Sequence, residues 1–150
     1  IVIKHNPNSE HIELFYDQWK HERLVIDKWF SAQVLTAHPN SLNKVVENLT
    51  THSDFTITTP NRVRSILGAF SANTAGFHLE TGENYKLFSD WILKVDPVNP
   101  QVGARMCSAF ETWKRYDPKR QKLIKSQINR VLGAESVSKD TREMLTRLIN

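Results

Sequence analysis

A single cysteine, Cys107, stands among the 150 residues, so no internal disulfide is available and a reducing, cytoplasmic setting is expected. Glycine is scarce as well, with five residues, and no glycine-rich phosphate loop, collagen-like period or heptad repeat runs through the chain. No apolar run approaches the ~20 residues needed to cross a bilayer, so no membrane partner is expected. The opening residues Ile1 to Asn6 lack the long apolar stretch and small-residue cleavage site of a secretory signal. The chain starts on Ile1 rather than Met, which reads as a fragment or a processed form. A strong charge imbalance is also missing: 20 Lys+Arg against 16 Asp+Glu permit an anionic partner without demanding one.

Catalytic and metal-binding patterns are absent too. Six histidines, His5, His11, His21, His38, His52 and His78, invite a search for ligands. His21-Glu22 begins like a zinc-protease helix, but the position of the second histidine holds Val25. His11 with Glu13 and His78 with Glu80 are two residues apart, a spacing that on a helix points the pair to different faces. Cys107 sits between Met106 and Phe110 in an apolar stretch, where a buried inert thiol is expected. No nucleophile elbow or paired catalytic carboxylates occur. The expectation from the residues is a chain with no catalytic residue, no metal site and no cofactor of its own.

What the chain does have is helical periodicity. Ile12, Phe15, Tyr16 and Trp19 form one stripe from a start at Ser9, and Val25, Trp29, Phe30 and Val34 form a second, ending before His38-Pro39. Asn40 or Ser41 is suited to cap a third helix bearing Leu42, Val45, Val46 and Leu49. Phe55 to Thr59 has β-branched residues but no partner strand, and reads as a connector. Beyond turns near Asn73 and Gly82, the stripe Tyr85, Phe88, Trp91, Ile92 and Val95 marks a further helix. Asn99-Pro100 and Asp117-Pro118 repeat one device, a capping side chain followed by a proline at the first helical position. They launch helices through Trp113 and Val131, with Gly133 as a C-terminal cap. Ser138 opens a last helix over Met144, Leu145 and Leu148. About eight short one-sided helices and no strand alternation predict an all-α chain of stacked antiparallel pairs, of the HEAT or armadillo kind, with a compact bundle as the alternative. The large aromatics Phe15, Trp19, Trp29, Phe30, Phe88, Trp91, Phe110 and Trp113 read as core.

One stretch departs from a plain core helix. In Thr58-Thr59-Pro60-Asn61-Arg62-Val63-Arg64-Ser65-Ile66-Leu67-Gly68-Ala69-Phe70, Thr59 can cap, Pro60 can begin the helix, and Val63, Ile66, Leu67 and Phe70 fall on one face. Arg62 and Arg64 lie near the helix start, where the macrodipole disfavours cations, and Gly68 costs helix stability. Either the arginines are solvated or paired with a carboxylate such as Glu47 or Asp54, or a ligand outside the helix uses them. A basic run, Lys114, Arg115, Lys119, Arg120, Lys122, Lys125 and Arg130, reads as a solvated helix face rather than a nucleic-acid tracker.

Several stretches resemble the C-terminal domain of bacterial aminopeptidase N, in the M1 family of zinc metallopeptidases. They are Leu24-Val25-Ile26-Asp27-Lys28-Trp29-Phe30, Ser53 to Thr56, Pro60-Asn61-Arg62-Val63-Arg64-Ser65 on to Phe70, Asn99-Pro100-Gln101-Val102, and Lys114-Arg115-Tyr116-Asp117 with Lys119-Arg120-Gln121. They follow one another in family order over nearly the whole chain. The resemblance implies a single helical domain over 1–150, with residues 1–8 as boundary or linker, belonging to a larger enzyme that removes N-terminal amino acids from peptides. It implies zinc and catalytic residues in a separate domain of the same polypeptide, and a curved helical stack that caps the active-site chamber and gates peptide access. Arg64 matches a family arginine facing that chamber, and Arg105, in Gln101-Val102-Gly103-Ala104-Arg105, matches a second; Asn61 and Arg62 share the first motif. The expected partners are the catalytic domain and peptide substrates, with a freestanding protein-binding helical scaffold as the alternative. In the larger enzyme, some of the outer aromatics would contact the catalytic domain.

Overall fold

The computed structural model describes residues 10–150. His5, the helix start at Ser9 and the boundary assigned to 1–8 lie outside the described residues. The chain divides after Phe77 into two compact units. Among the described residues every regular element is a helix or helical turn and there is no strand, as the helical periodicity predicts.

In the first unit, α1 (Glu10–Trp19) and α2 (Arg23–Leu35) are followed by a short 3-10 turn, Pro39–Ser41, and α3 (Leu42–Thr50). The cap differs from expectation. His38 begins the 3-10 turn by accepting the Asn40 amide on Nδ1 at 3.1 Å, and Ser41 makes no capping bond with its side chain. Residues 51–59 form turns, with the Phe55 amide bonded to the His52 carbonyl at 3.0 Å.

A helical run over 60–72 follows, built from α4 (Pro60–Val63), one turn of π-helix at Arg64–Gly68, and α5 (Ala69–Ala72); α6 (Thr74–Phe77) ends the unit. Thr59 makes no side-chain cap, contrary to the sequence reading. The run begins instead on Pro60 and the Val63 amide bond to the Thr59 carbonyl, 3.0 Å. Its buried face holds Val63, Ile66, Leu67 and Phe70, the four positions expected, against Phe30 and Val34 of α2 and Val46 of α3 in the same core. Asn73 secures the end of α2 by donating Nδ2 to the carbonyls of Val34 and Ala37, both at 3.0 Å. The Val34 carbonyl also accepts the Ala37 amide at 3.3 Å, so Asn73 adds a second donor there and supplies one to the Ala37 carbonyl just past the helix end.

In the second unit, α7 (Glu83–Val95) and α8 (Pro100–Met106) lead through 3-10 turns at Cys107–Phe110 and Trp113–Arg115 to α9 (Pro118–Leu132) and α10 (Lys139–Ile149). The Pro100 helix thus ends at Met106, short of Trp113, because its last turns tighten into 3-10 geometry. α7 packs on α8 and α9, and α10 packs on α8 and α9. The core is Tyr85, Phe88, Ile92, Phe110, Ile124 and Leu145, all within 1% of full burial.

Three predicted caps form as read. Asn99 accepts the Val102 amide, Asp117 the Arg120 amide and Ser138 the Thr141 amide, each at 3.2 Å. Gly133 ends α9 with right-handed backbone, so it is not a left-handed cap. Among the described residues the left-handed position is Gly82, φ +75°, immediately before α7, where any added Cβ would also press on Leu123.

Candidate substrate-channel site

Asn61, Arg64 and Gly68 lie on the exposed side of the 60–72 run, while Val63, Ser65, Ile66 and Leu67 are buried beneath them. The π turn widens the helix here, an arrangement that recurs at functional sites. Its backbone is steadied from α2, where Ser31 Oγ donates to the Ser65 carbonyl at 2.7 Å, and from within, where Ser65 Oγ donates to the Arg62 carbonyl at 2.6 Å. On this base Arg64 Nη2 donates to Asn61 Oδ1 at 3.2 Å, one turn earlier. This contact braces one edge of the guanidinium and leaves its remaining donors for a carboxylate or carbonyl. Gly68 keeps the next turn bare beside the Arg64 stem.

Arg62 is used differently. Its Nε donates to Asp27 Oδ1 at 2.6 Å, Nη1 donates to the Asp54 carbonyl, and the guanidinium carbon lies 5.3 Å from the Phe30 ring centre. The carboxylate is therefore Asp27 of α2 rather than Glu47 or Asp54; the Asp54 carboxylate instead receives the Tyr16 hydroxyl at 2.7 Å. Arg62 ties the 60–72 run to α2, consistent with a stem packed on a neighbouring helix. The two arginines are two residues apart, and that spacing sends one to the core edge and the other to solvent.

Arg105 lies in the second unit, exposed on α8, with its carbonyl taking the Ser108 hydroxyl at 2.8 Å. Among the described residues its guanidinium has no hydrogen bond or ion pair. Gly103, two residues earlier, sets where α8 runs: a Cβ there would lie 2.8 Å from Asp96 Cα. The structure thus brings Asn61 and Arg64 together, turns Arg62 inward, and places Arg105 on a separate unit.

The other candidate chemistry disperses. Among the described residues no group of three or more His, Cys, Asp or Glu side chains comes together in a way that would hold a metal ion. Cys107 is fully buried, bonds weakly to the Gly103 carbonyl, and burial pushes its thiol up to about 12. In the basic run Arg120 pairs with Asp117, Arg130 with Asp90 and Lys119 with Glu80, which leaves Lys114, Arg115, Lys122 and Lys125 as its cations without an ion pair to a carboxylate side chain among the described residues, Lys114 donating to the Asn150 carbonyl at 3.3 Å. That is a partly paired, solvated face.

His78 is not a ligand but a packed ring. It stacks on Tyr116 with centroids 4.0 Å apart, and its Nδ1 is 2.7 Å from the hydroxyl of fully buried Tyr85. Its carbonyl accepts Arg120 Nε at 2.6 Å. Burial, then the Arg120 charge, lowers its pKa from 6.5 to about 4. Between those values the unfolded chain takes up a proton that the folded chain refuses. Stability should therefore fall as pH drops from about 6.5 to about 4, with no His78 contribution to pH dependence above that window. Partial exposure of the ring limits the loss to about 1–2 kcal/mol. Thermal melts at pH 7 and pH 4.5 check this, since His78→Phe should keep the stacking and flatten this part of the pH dependence.

Comparison with known proteins places this geometry in context. A family model described as a domain of unknown function (DUF3458_C) with ARM repeats matches residues 2–150. The chain is 36% identical over 144 residues to aminopeptidase N of Caulobacter vibrioides, covering 95% of this chain and 17% of that protein. It is 37% identical over 134 residues to aminopeptidase N of Escherichia coli, covering 89% of this chain and 15% of that one. In structure it resembles Legionella pneumophila aminopeptidase A, solved in complex with aspartic acid, with a TM-score of 0.85 and 34% identity over 92% of this chain and 16% of that chain. The chain spans about one sixth of the length of these relatives.

Proposed function

Because the chain belongs to the DUF3458_C family of ARM-repeat domains, we propose that it is the non-catalytic C-terminal domain of a zinc-dependent aminopeptidase, capping the active-site chamber and gating peptide access. The observation that carries this reading is the outward Arg64, braced by Asn61 on the π turn while its neighbour Arg62 is bound inward. A guanidinium presented in this way is suited to peptide carboxylates and backbone carbonyls, and a chamber of low dielectric would strengthen its pull. Arg105 is the second channel residue, exposed and without an ion pair among the described residues. The parent enzyme removes N-terminal amino acids from peptides, with zinc held by its M1-type catalytic domain in the cytoplasm; this chain alone is inactive. The single buried cysteine is in keeping with a reducing compartment.

In the full-length enzyme, Arg64→Ala is expected to raise KM for peptides roughly 5–10-fold while leaving KM for small chromogenic amides nearly unchanged, as loss of one charged hydrogen bond to the longer substrate requires. Arg105→Ala should act in the same direction, and Arg64→Lys should recover only part of the affinity because it lacks the planar fork. Equal effects on peptides and amides would overturn the channel role. A freestanding scaffold is the less favoured reading, since the relatives carry this stretch within a much longer polypeptide.

A further inference from the structure

Gly68 lies inside the 60–72 run, where glycine is less stable than alanine because it has more backbone freedom to lose and no side chain to pack. Other glycines are required by their neighbours. A Cβ at Gly76 would lie 2.6 Å from Leu42 Cδ2, and one at Gly103 would lie 2.8 Å from Asp96 Cα. Gly82 combines φ +75° with Leu123 at 3.0 Å. Gly68 meets neither constraint. Its backbone is ordinary right-handed helix, φ −65° and ψ −44°, and the residue is exposed. Beyond the run's own backbone, a Cβ there would meet only Arg64 Cγ among the described residues, at an ordinary contact distance of 3.7 Å. The space beside Gly68 is therefore open, and no packing within the described residues accounts for the glycine.

The side chains along the run keep that space clear. Asn61, Arg64 and Gly68 recur at three and four residues on its exposed side. Asn61 holds one edge of the Arg64 guanidinium at 3.2 Å, and past Gly68 the Ser71 hydroxyl folds down onto the Gly68 carbonyl at 3.0 Å. Arg64 has no ion pair among the described residues, so its remaining donors stand beside bare backbone. Glycine is the residue that lets a second backbone approach closely, and an extended peptide backbone brings the carbonyl oxygens that a guanidinium takes. We propose that Gly68 is a specificity-determining residue, which lets the main chain of a peptide substrate lie against the 60–72 run within reach of Arg64. This rests on the reading of Arg64 as a channel residue. The ligand is the peptide main chain rather than a side chain, because a bare helix turn offers no pocket and Arg64 recognises oxygens that every peptide carries. A small chromogenic amide has too little main chain to use the strip.

The test uses Gly68→Ala and Gly68→Gln in the full-length enzyme, with a peptide and a p-nitroanilide that share an N-terminal alanine. The ratio of peptide KM to p-nitroanilide KM should rise roughly 3-fold for Gly68→Ala and 10-fold or more for Gly68→Gln, because each added atom holds the main chain further from Arg64. The melting temperature should hold or rise in both variants, since alanine and glutamine are better helix formers than glycine. Weaker peptide binding without loss of stability is a combination that a packing role for Gly68 does not produce. A fall in melting temperature would show that the fold itself needs the glycine, and it overturns the proposal, as does an unchanged KM ratio. The outcome is separable from the gating reading. An unchanged ratio in the Gly68 variants while Arg64→Ala still raises it removes the Gly68 role alone, and an unchanged ratio in all three variants removes the channel reading with it.

Discussion

Replacing Asp96 with alanine should lower the unfolding free energy by about 3–5 kcal/mol, the cost of leaving a buried polar cluster without its charge. Asp96 ends α7 and is 2% exposed. Its carboxylate accepts the Ser138 amide and the Ser138 hydroxyl, both at 2.6 Å, and the Thr141 hydroxyl at 2.7 Å. Ser138 in turn caps α10 through the Thr141 amide. One carboxylate therefore binds the end of α7 to the start of α10, positions 42–45 residues apart. Removing it strands buried donors and frees the first turn of α10. Asp96→Asn should cost less, about 1–2 kcal/mol, because one amide oxygen still accepts while its NH2 group faces a donor. Urea unfolding followed by circular dichroism gives both values, and a loss under 1 kcal/mol for Asp96→Ala would refute the clamp.

Gly103→Ala should destabilise the same unit by about 2–3 kcal/mol, even though alanine is the better helix former by about 1 kcal/mol. The added methyl would lie 2.7 Å from Asp96 Oδ1, 2.8 Å from its Cα and 2.9 Å from its Cβ. No rotamer relieves a clash with backbone, so α8 must move away from the α7 end. That movement would shift Arg105, two residues on, and in the full-length enzyme it should raise peptide KM along with the loss of stability. Because both residues share one contact, the double variant Asp96→Ala, Gly103→Ala should lose less than the two single losses added together. Additive losses would mean the two sites are independent.

Much of the helical layout was legible in the residues. Spacing of Val63, Ile66, Leu67 and Phe70 identified the buried face of the 60–72 run, and Asn99, Asp117 and Ser138 identified helix starts. Both signals are local, since a stripe needs only the 3.6-residue turn and a cap needs only an amide three residues on. Local rules did not hold at every helix start. Thr59 has the right side chain but makes no cap, and Asn40 and Ser41 yield to the His38 ring. Phe15 and Trp19 sit at core-like spacing yet stay partly exposed, because spacing says which residues share a face and not what faces them.

The candidate site divides along the same line. Their place near a helix start singled out Arg62 and Arg64, and the family resemblance singled out Arg64 and Arg105 as channel residues, with Asn61 and Arg62 sharing the first motif. Nothing in the residue order foretold the π turn, the Asp27 partner of Arg62 35 residues away, or the brace from Ser31. His78 gave no sequence signal of its stacking on Tyr116, 38 positions along the chain. Nor does the residue order mark Asp96, followed by Pro97, as the buried carboxylate that holds Ser138 and Thr141. By itself the sequence determined an all-α repeat domain and its family, because amphipathic period, cap chemistry and family wording are written in neighbouring residues. Only the tertiary structure decided which arginine turns inward, which carboxylate is buried and which aromatics remain outside, because those outcomes depend on residues far apart in the chain, 35 positions for Arg62 with Asp27 and 42–45 for Asp96 with Ser138 and Thr141.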